Sequence, residues 1–169
     1  HQLMVENHVC PGEFIIGADS HTCTYGALGA FGTGVGCTDF LYGMVTGTTW
    51  VLVPETLRFH LTGRLPAGVY PRDLMLTIIG DIGADGANYK VMEFVGDGIT
   101  AMSVDERLVL ANLAVEAGAK TALMEADDKV LDYVQRRGRA PKALFTSDED
   151  AVFLKEYRYD LSQIKPVVA

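Results

Sequence analysis

The sequence predicts an α/β protein, and three features carry that expectation. Short apolar runs of strand character alternate with helix-period stretches along much of the chain, the order expected of layered α/β folds. The strand-like run Glu13–Ile16 leads into the loop Gly17-Ala18-Asp19-Ser20-His21-Thr22-Cys23-Thr24-Tyr25-Gly26, which sets an acid, a hydroxyl and an imidazole side by side. A glycine-bearing loop at the C-terminal end of a strand is where α/β sheets bind ligands. The third feature is core supply: 49% of the 169 residues are hydrophobic, enough to bury a sizeable core.

Charge and cysteine usage narrow the function classes. A formal net charge of −8 argues against a nucleic acid or an anionic membrane as partner. Cys10, Cys23 and Cys37 are odd in number and lack any Cys-x-x-Cys spacing, so they outline neither a disulfide framework nor a zinc site, and a reducing cytoplasm fits them. No apolar run approaches the ~20 residues of a membrane span, and no leader pattern opens the chain. The first residue is His1 rather than Met, so a processed N-terminus or a piece of a longer protein is expected.

His1–Cys10 carries Leu3, Met4 and Val9 among polar residues, and the element holding His1 is expected to begin upstream. Pro11-Gly12 turns the chain into the Glu13–Ile16 strand. Seven glycines between Gly26 and Gly47 are too many for a plain helix and fit either close packing of helix on sheet or close approach of a ligand. A dinucleotide fingerprint is absent, because the third glycine required after Gly32-x-Gly34 is Cys37. Thr38 or Asp39 is placed to cap a helix through Phe40, Leu41 and Met44 toward Trp50, and Pro54 marks a segment boundary.

Leu57, Phe59 and Leu61 alternate with Arg58, His60 and Thr62, the period of a half-buried strand. His60 falls on the polar face and reads as solvated, since no ionisable partner sits at matching spacing. Pro71 and Asp73 start a helix carrying Leu74, Met75, Leu76, Ile78 and Ile79, with Gly80 and Gly83 as its stop. Tyr89–Val95 reads as a strand with Val91 or Met92 against the core and Glu93 as either a functional acid or, more commonly for such a position, a solvated edge carboxylate.

Ser103-x-x-Glu106 is a capping box and Gly118 a terminator, so the stretch between them reads as a helix burying Val104, Leu108, Ala111 and Val115 as one stripe. Asn112 and Glu116, one turn apart beside that stripe, are either a hydrogen-bonded surface pair or the edge of a cleft. Thr121–Met124 is a strand, and Asp127 or Asp128 caps a helix through Val130, Leu131 and Val134 to Gly138. Arg136, Arg137 and Arg139 suit the C-terminus of that helix better than a phosphate. Thr146–Asp150 is an acidic loop, and Tyr157–Leu161 is extended.

Asp19, Ser20 and His21 do not make a hydrolase triad by themselves, because adjacent side chains on an extended segment diverge and Gly-x-Ser-x-Gly is absent. Each needs a partner from elsewhere. His1 and Glu116 are the best candidates, pairing as Asp19 with His1 and Glu116 with His21. A carboxylate beside an imidazole fixes its tautomer and raises its basicity, which suits proton transfer to or from a hydroxyl or a metal-bound water.

His1-Gln2, then Gly17-Ala18-Asp19-Ser20-His21-Thr22, then Gly26-Ala27-Leu28-Gly29-Ala30-Phe31 form an ordered set of motifs. Val53-Pro54-Glu55-Thr56 and Ile82-Gly83-Ala84-Asp85-Gly86-Ala87-Asn88-Tyr89-Lys90-Val91-Met92-Glu93-Phe94 continue it, and the match runs to about Asp128. This set resembles the aconitase superfamily, most of all the large subunits of 3-isopropylmalate dehydratase and homoaconitase. The resemblance implies reversible dehydration and rehydration of a 2-hydroxy di- or tricarboxylate, with 2-isopropylmalate to 3-isopropylmalate in leucine biosynthesis first and the homoaconitase reaction of lysine biosynthesis as the alternative. It implies a [4Fe-4S] cluster acting as Lewis acid, a separate small subunit and a cytoplasmic setting. It further implies that His1, Asp19, Ser20, His21 and Glu116 are catalytic and that Asn112 lies in the substrate or cluster environment.

The family's cluster is held by a Ser-Cys-Thr-Asn cysteine and a later Cys-x-x-Cys, and neither occurs here, so none of Cys10, Cys23 and Cys37 is expected to be a metal ligand. The expected architecture is therefore partial: layered αβα units of the aconitase type. Residues 1–53 form the C-terminal part of a first unit bearing the Asp-Ser-His motif, 54–125 a whole second unit, and 126–169 the start of a further unit or a linker. Such a piece is expected to be inactive alone. A rival of another class is a non-catalytic α/β module using the glycine-rich cleft to bind carboxylates or dock a subunit.

Overall fold

Two short parallel strands, β1 (Phe14–Gly17) and β2 (Phe31–Gly34), follow the N-terminal helix α1 (Gln2–Asn7) in the computed structural model, which describes residues 1–168. Between them runs a 3₁₀ helix, Ser20–Leu28, whose residues from Thr22 onward are all buried. Helix α2 (Cys37–Thr46) then leads to a second sheet built from β3 (Thr56–Thr62), β4 (Val91–Val95), β5 (Thr121–Met124) and β6 (Lys155–Asp160). All its pairings are parallel, in the order β5-β4-β3-β6. Parallel neighbours need crossovers. Helix α3 (Pro71–Ile82) makes the one from β3 to β4, and α4 (Asp97–Ala101) with α5 (Val104–Asn112) the one from β4 to β5. Helix α6 (Asp128–Gln135) follows β5. The fold is α/β, as the strand-helix alternation predicts.

The alternation on β3 sets the main core. Leu57, Phe59 and Leu61 are at most 3% exposed, and Phe59 stacks on Phe94 and Tyr157 at centroid distances of 5.2 and 4.9 Å. Leu74, Met75 and Ile78 of α3 and Leu110, Ala111 and Ala114 pack on this face. A second cluster joins the N-terminal region to α6, through Val5, Val9, Tyr25, Leu28 and Ala30 against Val130 and Val134.

The 3₁₀ helix lies on β5 so tightly that backbone meets backbone. A Cβ built on Gly26 would stand 1.5 Å from the carbonyl oxygen of Ala122, and neither chain has a side chain that could move aside. Close packing thus explains this glycine. Gly26→Ala is expected to cost more than about 3 kcal/mol in urea unfolding of the full chain, above the usual overpacking range. A loss under about 1 kcal/mol would show that the two segments can separate freely.

Several expectations are corrected. Helix α2 is capped by Gly36 rather than Thr38 or Asp39, and it stops before Trp50 because Gly47 takes a left-handed conformation at φ +70° and donates to Gly43 O. None of its residues is buried, leaving Leu41, Tyr42, Met44 and Val45 exposed, with Trp50, Leu52 and Val53 beyond. Gly80 lies inside α3, and Gly83 alone ends it. Glu93 is on an interior strand, its carboxylate 3.2 Å from the Arg58 guanidinium across the β3–β4 register and accepting a 2.6 Å hydrogen bond from Ser147. His60 does have an ionisable partner: its Nε2 stands 2.6 Å from Glu156 Oε2, brought alongside by the parallel pairing of β3 with β6.

The expected stripe on α5 is also only half right. Val104 and Ala111 are buried, whereas Leu108 and Val115 are partly exposed, and Arg107, Leu110 and Ala114 fill the interior instead. The helix ends at Asn112 and continues as a 3₁₀ turn, Leu113–Ala117, which shifts the phase of every later residue. Among the three arginines, Arg137 caps its own helix through Tyr133 O, and Arg136 pairs with Asp132. Arg139 instead donates to Val5 O and Val9 O at the end of α1. No helix among the described residues is long and apolar enough to cross a membrane.

Candidate active site

The chain leaves β1 at Gly17 and turns at Asp19, whose extended backbone lets its side chain cap the Ser20–Leu28 helix by accepting from His21 N at 2.8 Å. Asp is a favoured N-cap because its oxygen satisfies an otherwise unpaired N–H of the first turn. The motif is thus not extended beyond Asp19. Its side chains converge rather than diverge, with Ser20 Oγ 3.2 Å and Asp19 Oδ1 3.7 Å from His21 Nδ1. The expectation of diverging neighbours fails because a tight helical turn folds the three back on one another.

Both partners expected from elsewhere arrive. His1, at the N-cap of α1, places Nε2 2.9 Å from Asp19 Oδ1. Glu116 places Oε1 3.5 Å from His21 Nε2. The two imidazole centroids are 6.4 Å apart, with the Asp19 carboxylate between them. Side-chain exposure of 28% for His1, 35% for His21, 57% for Glu116 and 62% for Asp19 leaves the group open to a ligand. Among the described residues no lysine or arginine pairs with Asp19 or Glu116, so the imidazoles are their counter-groups.

Asn112 and Glu116 are not a surface pair. Asn112 Nδ2 donates to Thr24 Oγ1 at 2.8 Å, while Glu116 turns outward to His21. The switch from α to 3₁₀ at Leu113 separates them. Thr24 Oγ1 donates in turn to His21 O at 2.6 Å, so the turn carrying His21 is tied to the end of α5.

Two clefts reach these residues. One of about 580 Å³ is lined by His1, Thr24, Arg72, Leu108, Val109 and Asn112. The other, of about 440 Å³, runs from Ser20 along Gly34 and Asp39 to Trp50, Tyr89 and Lys120. Lys120 is held there by donating to Gly34 O at 2.9 Å.

Tyr25 and Thr24 were missed as neighbours of the motif. Their hydroxyls meet His1 Nδ1 at 3.3 Å and Asn112. Their positions three and four after His21 would have pointed to them had the segment been read as helical.

The thiols stand apart from one another. Cys23 is buried with its Sγ on Asn112 O, and burial pushes its pKa up to about 11. Cys10 is buried beside His8 O, and Cys37 is exposed at the start of α2. Among the described residues no three His, Cys, Asp or Glu side chains converge as a metal-binding group.

The family model described as the aconitase family (aconitate hydratase) matches residues 1–169. The chain is 50% identical over 170 residues to the 3-isopropylmalate dehydratase large subunit of Acetivibrio thermocellus, covering all of this chain and 41% of that protein. It is 54% identical over 161 residues to 3-isopropylmalate dehydratase large subunit 1 of Pyrococcus furiosus, covering 95% of this chain and 38% of the relative. A probable 3-isopropylmalate dehydratase large subunit of Methanothermobacter thermautotrophicus is 50% identical over 170 residues, with 41% of it covered. The chain spans about two fifths of the length of these curated relatives.

Proposed function

Because the chain belongs to the aconitase family, we propose that His1, Asp19, Ser20, His21 and Glu116 form the proton-handling part of a hydro-lyase site that dehydrates and rehydrates a 2-hydroxy di- or tricarboxylate. The substrate we infer is 2-isopropylmalate, isomerised to 3-isopropylmalate for leucine biosynthesis, because the relatives at about half identity carry that name. The observation that carries the reading is the pair of imidazole–carboxylate contacts, His1 with Asp19 at 2.9 Å and His21 with Glu116 at 3.5 Å, all four side chains being open to solvent.

Dehydration breaks the C–H bond on the carbon beside the hydroxyl-bearing one, its proton going to a base and its electron pair forming the C=C bond. Meanwhile the C–O bond breaks and an acid protonates the departing hydroxide to water; rehydration runs both transfers in reverse. Each pair can hold such a proton. With Nε2–H of His21 toward Glu116, Nδ1 is free to accept from Ser20 Oγ–H, which leaves the serine oxygen's lone pairs to meet the hydroxyl of a bound hydroxy acid. Asn112, held by Thr24, borders the neighbouring cleft at His1.

Aconitase-type dehydratases use a [4Fe-4S] cluster as Lewis acid, and this reading includes one. The residues of this chain do not fit its ligand set: two thiols are buried in separate places, the third is exposed, and Cys23 is held as a thiol by burial. The ligands are therefore assigned outside these residues, and the proton steps above belong to this chain's own side chains. The reading also includes a small-subunit partner, supported by relatives named as large subunits, and a cytoplasmic setting, supported by three free cysteines.

The test is a chimera. The matching segment of the Acetivibrio thermocellus large subunit is replaced by residues 1–169, the protein is paired with its small subunit, and the cluster is rebuilt without oxygen. Turnover of 2-isopropylmalate is expected. A chimera that folds and holds its cluster but leaves 2-isopropylmalate untouched overturns the assignment.

A further inference from the structure

We propose that Tyr25 is a positioning residue that holds the His1 ring in one orientation and one tautomer, with Nδ1 as acceptor from the phenol and Nε2–H directed at Asp19. Its catalytic meaning rests on the hydro-lyase reading above, while the geometry and its test do not.

The phenol is built in from below. Tyr25 is 5% exposed and packs with Val5, Val9, Leu28, Ala30, Val130 and Val134, so its ring has no room to swing. Its hydroxyl meets His1 Nδ1 at 3.3 Å, and the two rings stand edge to face at 65° with centroids 5.7 Å apart. Burial first, and the Asp19 charge second, push the Tyr25 pKa above its ordinary value, so the oxygen keeps its proton across neutral pH and remains a donor.

The donor count then leaves one arrangement. A neutral imidazole has one N–H and one acceptor nitrogen. The Asp19 carboxylate at 2.9 Å accepts only, so the proton lies on Nε2. Nδ1 must accept, and Tyr25 is the donor placed to serve it. If the ring is doubly protonated, the phenol oxygen accepts from Nδ1–H instead, and the ring keeps its place in both states.

A flip of the ring would put carbon atoms against both Asp19 and Tyr25, losing two hydrogen bonds at once. Asp19 Oδ1 is in turn held by two donors, His1 Nε2 and the His21 backbone N–H. Both ring nitrogens of His1 are thus occupied by the chain itself. Direct proton exchange with a ligand then falls to Asp19 and Ser20, and His1 acts through Asp19.

The 3₁₀ helix that carries Tyr25 also carries His21, so one buried anchor sets both imidazole–carboxylate pairs. The outer pair of groups is exposed, whereas Tyr25 is not, which makes the phenol the fixed end of the row.

The test is ¹⁵N NMR of the His1 ring in the full chain, wild type and Tyr25→Phe. In the wild type the single proton is expected on Nε2, with Nδ1 showing the shift of a hydrogen-bonded acceptor. Tyr25→Phe keeps the packing and is expected to move Nδ1 to the unbonded value and let the ring sample more than one orientation. In the chimera described above, the same substitution is expected to lower kcat about threefold to tenfold, the scale of one neutral hydrogen bond, with KM unchanged.

A wild-type ring protonated on Nδ1, or an Nδ1 signal indifferent to Tyr25→Phe, overturns the proposal. The wild-type tautomer decides even if the variant fails to fold. A chimera without turnover whose His1 ring shows the expected tautomer removes the hydro-lyase reading and leaves the Tyr25 assignment standing.

Discussion

Asp127→Ala is expected to lower the stability of the chain by about 3–5 kcal/mol, the usual cost of removing one partner from a buried ion pair. Arg107 is fully buried, and its guanidinium grips Asp127 with both forks, Nη1 to Oδ1 at 3.0 Å and Nη2 to Oδ2 at 2.5 Å. Its Nε has no partner in the structure, so the carboxylate is the main compensation for a charge taken out of water. Asp127 does a second job as the N-cap of α6, accepting from Val130 N at 3.2 Å. Alanine removes both.

The pairing also fixes the sign of a pH effect. Burial acts to raise the Asp127 pKa, but the hydrogen bonds and charge of Arg107 outweigh it and the net shift is downward. A carboxyl with a folded pKa below its unfolded value contributes stability that is complete above the unfolded value of ~3.9 and lost as pH falls through the folded one. The gap between wild type and Asp127→Ala in urea midpoints should therefore be full at pH 7 and shrink below about pH 4. Arg107→Met with Asp127→Ser keeps a cap and removes the buried charge, and should recover most of the loss. A gap under about 1 kcal/mol at pH 7 would mean that water reaches Arg107 in the folded chain.

What could be read from the sequence divides along the distance between partners. The strands at 57–61, 91–95 and 121–124 and the capping box at Ser103 announced themselves, because their signals lie within one element. The paired glutamate of His60 is 96 residues away and comes alongside only when β6 adds to the sheet, so no local pattern could show it. Glu93 was misread for the same reason, since being on an edge or in the middle of a sheet depends on strand order. Arg107 sits on the inner side of α5 at a position where a charged residue is expected to face water, and only Asp127 makes that placement tolerable.

The site was legible in its members and not in its shape. His1, Asp19, His21 and Glu116 meet as paired, yet the turn that bends Asp19, Ser20 and His21 toward each other begins at a cap hydrogen bond within the motif. Reading Asp19 as an N-cap would have made the segment helical and brought Thr24 and Tyr25 into view. The same change of helix type at Leu113 that takes Val115 off the expected buried stripe is what frees Glu116 to reach His21.

His21→Ala in the reconstituted chimera is expected to lower kcat about 10²- to 10⁴-fold, the scale of a positioned acid–base group. Among the described residues its ring alone is in contact with Ser20, Asp19 and Glu116 together, at 3.2, 3.7 and 3.5 Å, so alanine disconnects all three. Glu116→Gln is expected to cost less. An amide still fills the space and accepts from Nε2–H, but it no longer offers a negative charge to a protonated ring, so the loss should concentrate in kcat. The two effects should not add, because Glu116 acts through His21, and the double variant should resemble His21→Ala alone. Steady-state rates for the three variants, with circular dichroism and cluster absorbance as controls, decide the matter. A folded, cluster-loaded His21→Ala protein with unchanged kcat would make this cleft a binding surface rather than a reaction site, since nothing else in the described chain could replace an imidazole held between a serine and two carboxylates.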